Sequence, residues 1–234
     1  MKILVIIPAY NEEETIANVI KEIQKYEYID IVVINDGSKD NTSYLARNMN
    51  VEVIDHTTNR GIGAAMRTGF QYAAKYGYDI AVQVDADGQH DISMLEELIS
   101  KVRDEGYDMV IGSRYISKTQ YNSTKYRLMG IKYCSFLICI LSGNCIKDPT
   151  SGYRVFNRRV IDYCIVHYID DYPEVPILYR LIKQGYKIHE IPVEMKRRQG
   201  GKSSITFIGS IIYFVRITYI CIKNSLKFGG GCDE

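Results

Sequence analysis

The sequence predicts an α/β protein with a mainly parallel central sheet flanked by helices, and three observations carry this. Short β-branched runs alternate with helical patterns through the first half. Polar residues gather immediately after those runs, where a parallel sheet binds its ligands. The length, 234 residues, suits one domain with a substantial core.

The predicted strands are Lys2–Ile7, Ile29–Ile34, Val51–Ile54, Asp79–Val84 and Met109–Gly112. Between them fall predicted helices at Glu13–Lys25, Asn41–Asn48, Gly63–Lys75 and Ser93–Arg103. Beyond Gly112 the pattern changes. A helix is expected over Tyr126–Gly143, then a turn-rich loop from Asp148 to Gly152, a helix over Glu174–Lys183 and a strand over Lys187–Glu194. The basic loop Lys196–Lys202 follows, and then the largely apolar stretch Ile205–Ile222. No repeat, low-complexity tract or linker divides the chain.

Composition narrows the function. Apolar residues make up 46% and charged residues 24%, as in globular proteins. Lys and Arg (29) nearly balance Asp and Glu (28), without the basic excess of a nucleic-acid module. The six cysteines form no CxxC pair and have no histidine at zinc-ligand spacing. That favours reduced thiols in a cytoplasmic setting. The start, MKILVIIPAYNEEE, meets acidic residues at once and reads as a strand rather than a signal peptide.

The chemistry sits in the loops after strands. Asp85 and Asp87 bracket Ala86 at the end of an apolar strand, with Gln89 close behind. Two such carboxylates can grip Mg²⁺ or Mn²⁺ while diphosphate oxygens complete the shell. Taken alone, such a triplet is more often a solvated turn. Asp36 and Glu12 follow two other strands, however, and three acidic loops on one edge would repel unless a cation or a ligand's donors lay between them. The first loop has no glycine, which excludes a dinucleotide fingerprint and a P-loop there. Gly61-Ile62-Gly63 lacks the third glycine and a strand directly before it.

Other candidates remain open on both sides. His90 follows the acidic triplet, but a lone histidine is more often structural than a ligand. Glu174 is either a helix-start carboxylate favoured by the dipole or an acceptor-side base. The cluster Lys196, Arg197, Arg198 and Lys202 is a solvated turn or a phosphate contact on a segment that Gly200 and Gly201 would let move. As a helix, Ile205–Ile222 would be about 27 Å long, short for a span, with Arg216 inside it. It reads as an interfacial helix or as a core helix packed on the sheet.

The segments IPAYNEEETI, VVINDGSKDNT, NRGIGAAMRTGF, VQVDADGQHD, IGSRY, DPTSGYRVF and GYKIHEIPV occur in this order from Lys2 to about Ser204. Together they resemble the inverting family 2 glycosyltransferases of GT-A fold, and most closely the polyprenyl-phosphate sugar transferases typified by dolichol-phosphate mannose synthase. The resemblance implies a GT-A catalytic domain over 1–204 and a C-terminal helix over 205–227, at the membrane interface or docked on a partner. It implies that Pro8, Tyr10, Glu12 and Asp36 hold the donor's base and ribose, with Asp85 and Arg114 also on the donor side. Asp85, Asp87 and Gln89 would hold the metal, Mg²⁺ or Mn²⁺. Arg127, Ser151, Gly152, Tyr153 and Lys202 would meet the acceptor or its phosphate. Asp148, Glu174 and Arg198 would serve the reacting centre. The relatives' Gly-x-Ser-Lys ending is here Gly201-Lys202-Ser203-Ser204, with lysine before serine.

The implied reaction moves a sugar from a UDP- or GDP-sugar to a polyprenyl phosphate, in cell-envelope glycan assembly at the cytoplasmic face of the membrane. A saccharide acceptor in surface-polysaccharide synthesis is the alternative, and a non-catalytic nucleotide-binding adaptor is a third reading. The expected partners are the nucleotide sugar, the acceptor, and a membrane surface or membrane protein; nucleic acid is not among them.

Overall fold

A computed structural model describes residues 1–116, 125–169, 173–196 and 214–223, the side chains of 125–127 excepted. Its centre is a seven-stranded sheet in the order β3-β2-β1-β4-β6-β5-β7. The strands are β1 (Ile3–Ala9), β2 (Ile29–Asn35), β3 (Glu52–Asp55), β4 (Ile80–Gln83), β5 (Met109–Ser113), β6 (Arg154–Asn157) and β7 (Ile188–Pro192). All neighbours are parallel except β6, which runs antiparallel to both β4 and β5.

The apolar runs explain why the sheet is covered on both faces. In β1, Leu4 and Ile6 enter one core cluster while Ile3, Val5 and Ile7 enter the other. Strands buried on both sides must be apolar throughout rather than alternating. Helices α1 (Ile16–Ile23), α2 (Thr42–Arg47) and α4 (Leu95–Arg103) contribute to the second cluster. Helices α3 (Ile62–Lys75), α5 (Lys125–Ser142), α6 (Arg158–His167) and α7 (Glu174–Lys183) contribute to the first. The five predicted strands of the first half are all present, and the helix ends shift by a few residues.

Two elements have no counterpart in the sequence-based expectation. Strand β6 is four residues long and lies between the turn-rich loop and the start of the next helix, too short for its pattern to stand out in the sequence. Helix α6 begins at a sequence signal that could have found it: the Asn157 side chain accepts from the Val160 amide as an N-cap. The expectation of reduced thiols is also corrected. After α5 the chain reverses at Gly143 (φ 76°) and brings Cys145 back to Cys139. The two are joined, with Cα atoms 4.4 Å apart, whereas Cys134, Cys164 and Cys221 are buried thiols.

Residues 214–223 form a further helix, α8, which packs on α5. The Phe214 ring lies directly against Gly130, and the Tyr133 hydroxyl meets Thr218 Oγ1 at 2.6 Å. Ile217 and Cys221 are fully buried in the first core cluster. The tail is thus a core helix on its inner side. The remainder of 205–227 lies outside the described residues. Among those described, no helix is long and apolar enough to cross a membrane.

Candidate active site

The sheet order reverses beside β1: β2 and β3 continue to one side and β4 lies on the other. Such a switch point opens a crevice beyond the carboxyl ends of the strands. The loops after β1, β2, β4, β5 and β7 all emerge on that edge, as their parallel registers require. Because β6 is antiparallel, its beginning lies there too, with Arg154 opposite Gln83.

Asp85 and Asp87 stand at this edge, both partly exposed, on either side of Ala86, which is buried in the core. Their loop is set by short contacts. Gln89 N donates to Asp87 Oδ1 (3.0 Å), and Gln83 Nε2 donates to Asp85 Oδ1 (3.3 Å). His90 Nδ1 accepts from the Asp85 amide at 3.1 Å, which places the ring's proton on Nε2, 3.4 Å from Asp85 Oδ2. The imidazole stacks on Tyr153 at 4.6 Å and is buried; burial keeps it neutral against the pull of Asp85 and Asp87. With its lone pair taken by an amide, His90 orients Asp85 and is not available to a metal. The loop is then fastened to the segment that follows β7 by Lys196 N donating to Gln89 O (2.8 Å) and by a bridge between His90 and Met195.

These residues fit a hard divalent cation. Among the described residues no cluster of three or more His, Cys, Asp or Glu could enclose a metal. Two partly exposed carboxylates with phosphate oxygens as further ligands is the usual arrangement for Mg²⁺ at a diphosphate. Next to Asp85, the buried Gln83 Oε1 has no hydrogen-bond partner among the described residues.

The loop between α5 and β6 is fixed almost atom by atom. Asp148 is fully buried and accepts from Arg114 three times, at the amide (3.0 Å), Nε (2.7 Å) and Nη2 (2.7 Å). Arg114 also holds Thr150 Oγ1 (2.9 Å). Glu190 of β7 accepts the amides of Lys147 and Asp148, each at 2.8 Å. Arg154, also fully buried, donates to the carbonyls of Pro149 (2.7 Å), Ser151 (2.7 Å) and Glu174 (3.0 Å). Gly152 then faces the metal-side loop: a methyl group added there would lie 2.9 Å from Asp85 Oδ2 and 3.2 Å from Oδ1. Gly152→Ala is therefore expected to displace Asp85 and lower turnover roughly a hundredfold, a size typical of about 1 Å of misplacement. Unaltered turnover and metal affinity in that variant would show that Asp85 tolerates the shift.

On the other side of the crevice, Tyr10 presents an exposed ring, Pro8 is half-buried, and the loops after β1 and β2 are laced together. Asn11 N donates to Ser38 Oγ (2.9 Å), Lys39 N to Asn11 Oδ1 (2.8 Å) and Glu12 N to Thr42 Oγ1 (2.8 Å). The Glu12 carboxylate accepts from Thr15 Oγ1 at 3.2 Å.

The sequence model for glycosyl transferase family 2 matches residues 4–164. The chain belongs to that family. Among family 2 relatives, it is 33% identical over 214 residues to the polyprenol monophosphomannose synthase of Mycolicibacterium smegmatis, covering 87% of this chain and 80% of that one. It is 31% identical over 216 residues to the undecaprenyl-phosphate mannosyltransferase of Micrococcus luteus, covering 88% of each. The fold is that of the glucosyl-3-phosphoglycerate synthase of Mycobacterium tuberculosis, solved with Mn²⁺, UDP and phosphoglyceric acid: TM-score 0.72 at 19% identity, over 100% of this chain and 80% of that one.

Several of the residues expected at the donor, the acceptor or the reacting centre are packed against other parts of the protein. Asp148 was expected as a carboxylate at the acceptor, and Arg114 as a donor-side phosphate contact. The two are hydrogen-bonded to each other in the interior, with side chains 0% and 5% exposed. Asp36 was expected in the base and ribose pocket, yet it is buried and its carboxylate accepts from Arg60 N, Gly61 N and His56 Nδ1. It braces the start of α3 and shapes the pocket from behind. Ser151 Oγ donates to Gly112 O and Tyr153 OH to Asp91 O, both from buried side chains. Gly152, between them, lies against Asp85 and Gln83. The Arg127 side chain, Arg198 and Lys202 lie outside the described residues.

Glu174 heads α7, and burial pushes its carboxyl up, against the pull of Arg154; the charge of Asp85 pushes the same way. Arg154, Glu190 and His56 were missed. Each carries an ordinary surface residue type, and only the fold shows that it grips backbone amides, backbone carbonyls or a carboxylate behind the site.

Proposed function

We propose that this chain transfers a sugar from a UDP- or GDP-sugar to a polyprenyl phosphate at the inner face of the cell membrane. The observation that carries the choice of acceptor is the saturation of Asp148. A sugar hydroxyl must lose its proton to a carboxylate during attack. A phosphate monoester, with a second pKa near about 6, arrives already largely dianionic. With the Asp148 carboxylate of the adjoining loop bound to Arg114 and so a poor proton acceptor, the site suits the phosphate. The two polyprenyl-phosphate mannosyltransferases it resembles support the same acceptor.

In this reading Asp85 and Asp87 hold a divalent cation, which supplies charge stabilisation to the departing nucleoside diphosphate. Tyr10 stacks on the base, and the laced loops after β1 and β2 give the ribose a rigid floor. The fixed Asp148–Gly152 loop sets the acceptor's line of approach, so the protein works chiefly by placing reactants. Incubation with polyprenyl phosphate, Mg²⁺ or Mn²⁺ and a panel of nucleotide sugars, followed by mass spectrometry, is expected to yield a glycosylated lipid phosphate. A glycosylated saccharide with no lipid product would overturn the lipid reading.

A further inference from the structure

Outside the site, the sulfur atoms divide by access. Cys134, Cys164 and Cys221 are buried, and burial pushes the Cys164 thiol up and the Cys221 thiol up to about 12. Buried cysteines of this kind are chemically inert. Cys145 is exposed and Cys139 half-buried, and these two are joined. Among the described residues, that bond is where a thiol from solution can reach sulfur.

The bond is poorly placed to hold the fold and well placed to hold a rim. The entropy that a disulfide removes from the unfolded chain shrinks with the loop it closes, and these partners are six residues apart. The core keeps both flanks without it: Ile138 and Ile146 are buried in the first cluster, and the Ser135 hydroxyl donates to Ile146 O. Between those flanks, Gly143, Asn144 and Cys145 are exposed. The hydrogen bonds described for that stretch stay within its own turn, Gly143 N donating to Cys139 O and Asn144 N to Ser142 Oγ. Two residues past Cys145, Lys147 N reaches Glu190 and the loop beside Asp85 begins.

We propose that Cys139–Cys145 is a thiol–disulfide exchange site, with a dithiol as its co-substrate, and that its state sets how firmly residues 143–145 edge the acceptor's approach. The second part rests on the reading of a polyprenyl-phosphate acceptor. One sulfur of the dithiol, as thiolate, attacks Cys145 Sγ; the bond to Cys139 Sγ breaks, and Cys139 leaves with the electron pair and takes up a proton. The second sulfur of the dithiol then displaces Cys145, which takes up the other proton. Two electrons and two protons have passed from the dithiol, which ends as a disulfide. An oxidised dithiol runs the same steps backwards. Bonded, the rim is ordered before the acceptor arrives; opened, it must be ordered on binding, which weakens affinity.

The test holds the whole chain, folded, in graded mixtures of reduced and oxidised dithiothreitol, then traps thiols with iodoacetamide for mass spectrometry. Cys139 and Cys145 are expected to open and close together and reversibly, while Cys134, Cys164 and Cys221 stay unalkylated. Hydrogen exchange over residues 142–147 should rise several-fold on opening, with no acceptor present. The KM for polyprenyl phosphate should rise roughly tenfold, the cost of ordering a few side chains on binding, with the KM for the nucleotide sugar unchanged. Cys139→Ser/Cys145→Ser should show the opened values in every mixture. A pair never joined, or left intact by the dithiol, overturns the proposal. So does hydrogen exchange or acceptor KM that is alike in both states, or an equal rise in both KM values, the sign of a general loosening. Absence of transfer to polyprenyl phosphate in either state, with the hydrogen-exchange response intact, counts against the acceptor reading alone.

Discussion

Asp87→Ala is expected to lower sugar transfer on the order of a thousandfold, comparable to removing a main stabiliser of transition-state charge. Asp87 shares the crevice edge with Asp85, and its Oδ1 is oriented by the Gln89 amide at 3.0 Å. Removal of the carboxylate leaves one acidic ligand for a cation that must bind against a leaving diphosphate. The loop itself should survive, because Ala86, His90 and the tie to Lys196 stay in place. The loss should therefore appear in turnover and in metal-dependent nucleotide affinity, with the unfolding midpoint nearly unchanged. Wild type should lose activity in EDTA and regain it with Mg²⁺ or Mn²⁺. Full turnover in EDTA, together with an active Asp87→Ala, would remove the metal from the mechanism.

The largest expected effect on stability is at Asp148. Asp148→Ala should cost about 3–5 kcal/mol, the usual penalty for breaking a buried pair and leaving its partner charged in the interior. Arg114 would lose its bidentate side-chain bond to a carboxylate, with its side chain 5% exposed. The double variant Arg114→Met/Asp148→Leu should be closer to wild type than Asp148→Ala is, because both buried charges are removed together. Urea unfolding of the three proteins decides this. An Asp148→Ala protein as stable as wild type would mean that the arginine escapes to solvent, and the loop would then be looser than its contacts indicate.

How much of this was legible in the sequence depended on what each residue does. The strand-end loops could be read because Asp85, Asp87, Tyr10 and Glu12 sit beside apolar runs that fix their place on the edge. The family could be read because seven short segments keep their order. What could not be read was the surroundings of each charged residue. Asp36, Asp148 and Arg114 have the chemistry of a binding site, but a sequence does not show which neighbours satisfy a charge. Here amides at 60 and 61, and the arginine–aspartate pair itself, do so. Arg154 failed in the opposite direction: it looks like one more basic residue, and its value lies in three backbone carbonyls brought together only by tertiary folding. The tail was ambiguous for a third reason. Its helix is apolar on both sides, so no amphipathic signal could separate the buried Ile217 and Cys221 from the exposed Val215 and Tyr219.

The reversed direction of β6 has a consequence for how such a protein can change. On the donor side, residues at the crevice come after their strands, so their position is dictated by where each strand stops. On the acceptor side, Gly152 and its neighbours come before their strand, and Arg154 anchors them from within it. Length added or removed between Ser142 and Lys147 is thus absorbed upstream of that anchor. The route by which an acceptor approaches can be remodelled while Asp85, two strands' width of hydrogen bonds away from β5, keeps its register with β1. One inverted strand lets acceptor preference diverge under a constant donor grip.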